Sequence, residues 1–148
     1  MKTLKSLMVV PQFDAENNIV NAKLTRYLDE GGYRQTLSAD VTSFSAESRE
    51  AFGAVVAYAQ QVRSLDERMA QVFGEMAGQA PDRTHVQVDP ETQQEVPVVD
   101  SYRPVVNLAC TLRKLDGSGE RTVALNTEQV SADFREAVLR FWELITNA

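Results

Sequence analysis

The sequence predicts an α+β fold in which one antiparallel β module occurs twice, each copy followed by a helix. Three observations predict it. The chain matches itself at an offset of 86 residues: Val10-Pro11-x-x-Asp14 returns as Val96-Pro97-x-x-Asp100, Val20-Asn21 as Val106-Asn107, and Thr25, Gly31 and Thr36 as Thr111, Gly117 and Thr122. Ser45-Ala46-x-x-Arg49-Glu50-Ala51 returns as Ser131-Ala132-x-x-Arg135-Glu136-Ala137, so that 13 of 42 ungapped positions are identical. Unrelated segments of average composition would share roughly 6%. Both copies also alternate apolar and polar residues with the same parity, and both then change to helical spacing behind a serine. Self-similarity constrains architecture before any local signal does, and a pseudo-twofold axis between the copies is expected.

The elements follow in order. Leu7-Met8-Val9-Val10, closed by Pro11-Gln12, is too short for a secretory h-region and reads as the first strand. Val20, Ala22 and Leu24 alternate with Asn21, Lys23 and Thr25, the period of a half-buried strand. Asp29-Glu30-Gly31-Gly32 is a hairpin turn, and a strand over 33–42 returns Leu37, Ala39 and Val41 to the core. Ser45 is placed to cap a helix, with Glu47 complementing its dipole. That helix buries Ala51, Phe52, Val55, Val56 and Ala59. Val55, Tyr58, Val62, Leu65, Met69, Val72 and Met76 continue at spacings of three and four, as heptad positions do. The pattern predicts an unbroken helix over 46–77, closed by Gly78–Pro81.

The second copy is expected to open with an additional hairpin, Thr84–Val88 with Glu95–Val99. Val106, Leu108, Cys110 and Leu112 then share one strand face, Asp116-Gly117-Ser118-Gly119 makes the turn, and a strand over 120–128 follows. Ser131 caps the last helix, whose apolar face is Ala137, Val138, Phe141, Trp142 and Ile145. Several helix positions exchange small for large between copies, as Val56 for Trp142 and Ala59 for Ile145. Two helices side by side across a pseudo-dyad would fill volume in that way.

A chain of 148 residues is one domain's worth. It divides into repeat one over 1–62, a helical extension over 63–80 and repeat two over 81–148. A net charge of −6 disfavours nonspecific attraction to phosphate or anionic lipid. The single cysteine, Cys110, forms no internal disulfide, and no window approaches the 18 apolar residues of a membrane span. A cytoplasmic or otherwise intracellular protein without membrane contact is the expectation.

No residue pattern points to catalysis. His85 is the only histidine and has no second ligand at metal-binding spacing. Asp14 and Asp100 offer a symmetric carboxylate pair for a divalent cation, but turn capping is the simpler role. Cys110 lies on the core parity of its strand, as a small hydrophobe. The expectation is a non-enzymatic, cofactor-free binding or assembly protein: a homo-oligomer or a subunit of a larger assembly, a viral one included. Its interface is expected on the heptad stripe, at Val62, Leu65, Met69, Val72, Phe73 and Met76. Lysine at Met69 would then part the subunits and leave the fold intact.

The alternative is single-stranded nucleic-acid binding on the polar sheet face, where Asn21, Lys23, Thr25 and Tyr27 share one parity. Lys23, Arg26, Arg34, Arg113, Lys114 and Arg121 would meet phosphates and Tyr27 would stack on a base. Strands followed by a helix, duplicated, resemble the Whirly and purine-rich-element-binding group of single-strand binders. The resemblance is one of architecture, and it implies that fold with a nucleic-acid function on the sheet.

Overall fold

The computed structural model describes residues 2–148. Its elements are β1 (Lys2–Phe13), β2 (Ile19–Glu30), β3 (Tyr33–Asp40), α1 (Ala46–Ala59), β4 (Glu67–Val88), β5 (Glu95–Lys114), β6 (Glu120–Asn126) and α2 (Ala132–Thr146). Single 3-10 turns, Val41–Ser43 and Gln60–Val62, precede and follow α1. The strands form one antiparallel sheet in the order β3-β2-β1-β4-β5-β6. Two sheet-plus-helix units therefore meet along β1 and β4, the α+β duplication that the sequence predicts.

The register locates the pseudo-dyad. Val9 lies opposite Leu24, and Val72 lies opposite Cys110, the residue 86 positions after Leu24. Val9 and Val72 are thus equivalent, and they pair with each other across β1 and β4. An axis passing between them exchanges the modules. The helices agree at the same offset: Ser45 Oγ accepts from Ser48 N at 3.2 Å, and Ser131 Oγ accepts from Phe134 N at 3.1 Å. These caps satisfy N–H groups that the first helical turn leaves free.

Two parts of the sequence alignment do not share a position. Val10-Pro11 lies in β1 whereas Val96-Pro97 lies in β5, so this motif is not structurally equivalent in the two modules. The hairpin registers also differ by two residues, with Thr25 opposite Ser38 but Thr111 opposite Thr122. A shift of two preserves every side chain's face, which is why the parity still agrees.

Both helices cover one face of the sheet. Leu7, Val9, Met69, Val72 and Leu108 from the strands enclose, with Phe52, Val55, Val138, Phe141 and Trp142, a small apolar void of about 20 Å³. The helices meet through Phe52 and Phe141, 5.6 Å between ring centroids, and through Tyr58 and Phe134 at 5.8 Å. Cys110 is buried in this core, and burial raises its thiol pKa to about 11.

The helical extension expected over 63–80 is not formed. α1 stops at Ala59, and Glu67–Val88 is the longest strand of the protein. A bulge between Met69 and Gln71 explains how a strand carries a helical spacing. The extra residue turns Met69 and Val72, three apart, to the same side. Beyond it the period is two, with Val72, Gly74 and Met76 inward. Gly74 fits a tight place there: a Cβ would lie 3.0 Å from Leu108 Cδ2 and 3.2 Å from Trp142 Cζ3, so both side chains would have to give way.

The expected interface stripe is dispersed accordingly. Met69 and Val72 belong to the core, Val62 and Met76 pack partly against it, Phe73 points to the opposite sheet face, and Leu65 is 94% exposed. A strand residue is covered by whatever lies on its face, so these six cannot form one seam.

Glu67, buried at the start of β4, holds the connection between modules. Its carboxylate accepts from Arg121 Nε and Nη2, each at 2.9 Å, and from Ser64 N at 2.9 Å. The Arg121 hydrogen bonds, then that from Ser64, lower its pKa from 4.5 to about 2. A depressed carboxylate pKa contributes stability above the unfolded value, and the contribution is lost as pH falls from about 4.5 toward 2. The expected result is an acid-induced loss of thermal stability across that window, visibly shallower in Glu67→Gln. Melting temperatures recorded between pH 6 and pH 2.5 check it.

Candidate functional site: a β-ribbon arm and an uncovered sheet face

β4 leaves β1 after the Glu75–Ser6 pair, and β5 leaves β6 before the Asn107–Asn126 pair. Beyond these points the two strands continue alone as a ribbon, paired from Met76–Val106 out to Val88–Glu95. At about 3.4 Å per residue the arm is roughly 40 Å long. Its outer part is the hairpin that the sequence predicts at 84–88 and 95–99, in the expected pairing. Register shifts cluster at its root, where Gly78 has φ +116°, a conformation that favours glycine. Such irregularities re-aim a strand.

Arg103 fixes the root. Its guanidinium donates to Glu128 Oε1 at 2.6 Å and Oε2 at 3.3 Å and to the Pro81 carbonyl, with Asp82 at 3.7 Å. These hydrogen bonds lower the Glu128 pKa and raise that of Arg103. Farther out, His85 Nδ1 and Asp100 Oδ1 are 2.6 Å apart. Asp100 is therefore an arm residue. Asp14 closes its own turn by accepting from Glu16 N at 2.9 Å and Asn18 N at 3.0 Å. The hydrogen bond from the Asn18 backbone is the chief cause of its lowered pKa.

The arm has an apolar face. Residues directly opposite share a face and alternate along a strand, so the pairs Thr84–Val99, Val86–Pro97 and Val88–Glu95 line one side. Val86 is 61% and Val88 59% exposed. The turn beyond them carries Asp89 and Glu91, leaving the tip acidic beside Glu95.

The sheet face opposite the helices is also uncovered. Its rows run Thr36, Tyr27, Ser6, Glu75, Asn107, Asn126 and Ser38, Thr25, Met8, Phe73, Ala109, Ala124. The cations expected there are largely matched by acids. Lys23 lies opposite Asp40, and Arg34 opposite Asp29. Arg113 meets Glu120 at 3.3 Å, Lys114 meets Asp66 at 3.7 Å, and Arg121 is held by Glu67.

Arg26 is a correction of a different kind. It shares the inward parity of Ala22, Leu24 and Leu28 and is only 6% exposed. Its guanidinium donates to the carbonyls of Ile145 and Ala148, each at 2.9 Å, and lies over the Phe44 ring, 5.1 Å from its centroid. Burial lowers its pKa. A cation on the last carbonyls of a helix complements the negative end of the dipole, so Arg26 ties α2 to the sheet and does not face the uncovered side.

The structure brings no two of the six expected interface residues together on an exposed surface, and it adds the arm. The sequence carries the arm's outer strands as the hairpin at 84–88 and 95–99, with valines of both parities. No helix among the described residues is long and apolar enough to cross a membrane. Comparison with protein-family models, with curated proteins and with solved structures finds no match.

Proposed function

We propose that this protein is a non-catalytic assembly protein that associates through its β-ribbon arm. The observation that carries this reading is the exposed apolar face of the arm. A two-stranded ribbon is marginal in water by itself, and its stability comes from an added layer or strand. Among the described residues Val86 and Val88 are left 61% and 59% exposed, so a partner surface is the natural cover. Replacing both with lysine is the test. The expected result is a fall in mass to the 16.5 kDa monomer, with a melting temperature within a few degrees of wild type, since surface changes cost little. An unchanged oligomer in sedimentation velocity would count against the arm.

A second reading, single-stranded nucleic-acid binding, is favoured by one observation: Tyr27 and Phe73 stand on the uncovered face. Stacking on such aromatics contributes about 1–3 kcal/mol per base. The matched acids weigh against it. Fluorescence anisotropy with labelled single-stranded DNA and RNA at low salt decides, and binding lost in Tyr27→Ala would favour it over assembly alone.

A further inference from the structure

We infer that the arm of one copy docks in a groove at the far end of a second copy, so that association is head-to-tail. The inference rests on the assembly reading and adds the receiving site. The groove has a volume of about 330 Å³ and lies where the β1–β2 turn, the connection into β4 and the β5–β6 turn converge. Phe13, Ile19, Leu65 and Leu115 supply apolar lining, and Arg63 and Arg68 supply charge.

Three features fit this groove to the arm. The first is apolar exposure on both sides: Leu65 and Leu115 are exposed in the groove, as Val86 and Val88 are on the arm. The second is charge. Arg63 and Arg68 have no carboxylate within 4.0 Å among the described residues, whereas the neighbouring Lys114 and Arg121 do. Arg63 uses one nitrogen on the Glu67 carbonyl at 3.1 Å, and Arg68 lies over the Phe13 ring at 4.8 Å. The arm tip presents Asp89, Glu91 and Glu95 next to its apolar face, the complementary arrangement. The groove is also lined by Glu16 and Glu67; Glu67 is neutralised by Arg121, which leaves Glu16 as the negative group among the cations.

The third feature is position. Arg68 is at the beginning of β4 and Val88 at its end, so arm and groove lie at opposite ends of one continuous strand. The arm points away from its own groove, so an arm seated there comes from another copy. Because the two surfaces differ, each copy has one arm to give and one groove to receive. Such a heterologous contact closes into a ring or continues as a filament.

Charge reversal tests the inference on the full chain. Arg63→Glu with Arg68→Glu makes an acidic groove, and Glu91→Arg with Glu95→Arg makes a basic arm. Each variant alone is expected to self-associate roughly tenfold or more weakly in sedimentation velocity, because like charges then meet. Mixed in equal amounts, they are expected to recover association, since each arm then finds an oppositely charged groove. Circular dichroism verifies folding. Leu65→Asp, at a residue with almost no cover, repeats the groove arm of the test without touching either arginine contact. If the arm variants dissociate while the groove variants do not, the groove is wrong and the assembly reading stands. If neither set changes the mass, or if mixing restores nothing, the head-to-tail contact is overturned; a monomeric wild type removes both readings.

Discussion

Met69→Lys is expected to unfold the protein. Met69 is 1% exposed, between the sheet and the two helices, with Leu7, Val9, Phe52 and Val72 lining the same void. The nearest carboxylate on that strand face, Glu67, is already taken by Arg121 and Ser64, and a buried charge without a free partner is among the most damaging substitutions. A cost on the order of 4 kcal/mol or more is a large share of the roughly 5–15 kcal/mol that holds a domain together. Loss of the helical circular-dichroism signal at 25 °C, or a melting temperature lowered by more than about 10 °C, is the expected measurement. A folded protein of lower mass, the outcome the heptad reading predicts, would mean that Met69 lies at an interface after all.

Trp142→Ala is expected to cost about 3–5 kcal/mol, the range for truncating a large buried aromatic. The ring fills the space above Gly74, and its Nε1–H donates to the Leu4 carbonyl at 3.2 Å. Truncation leaves both a cavity and an unpaired carbonyl on β1, which α2 otherwise holds. The two modules are not expected to tolerate the same change. Pro11 lies opposite Ala22 and Gly74 opposite Leu108, which are equivalent positions 86 residues apart. Val56 and Trp142 are equivalent at the same offset, and it is Trp142 that lies against Gly74. Val56 is only partly buried, so Val56→Ala should cost a fraction of the Trp142 penalty. Urea denaturation of the two variants side by side makes the comparison; equal losses would contradict the assigned packing.

The duplication was legible because period, turn glycines and capping serines agree with one another at a single offset. Leu24 and Cys110, Gly31 and Gly117, and Ser45 and Ser131 each repeat a physical requirement of the module, not merely a letter. The segment over 67–76 carries a helical spacing because periodicity counts residues and a bulge adds one. Met69 and Val72 are three apart on a bulged strand, and that spacing also fits a helix; Gly74, unfavourable within a helix by about 1 kcal/mol relative to alanine, was the contrary signal. Arg26 departs from expectation for a related reason. Its charge suits solvent while its parity matches Leu24 and Leu28, and nothing local announces that Ile145 and Ala148 will supply acceptors 119 and 122 residues later. Of the candidate site, the hairpin at 84–99 could be read from its strands and turn. Its projection beyond the sheet could not, because that depends on where β1 and β6 end.

Sedimentation equilibrium of the unmodified chain across a hundredfold dilution tests the assembly claim most directly. The expected weight-average mass lies above 16.5 kDa at the highest concentration and falls toward that value as the protein is diluted. A mass of one chain at every concentration would contradict it.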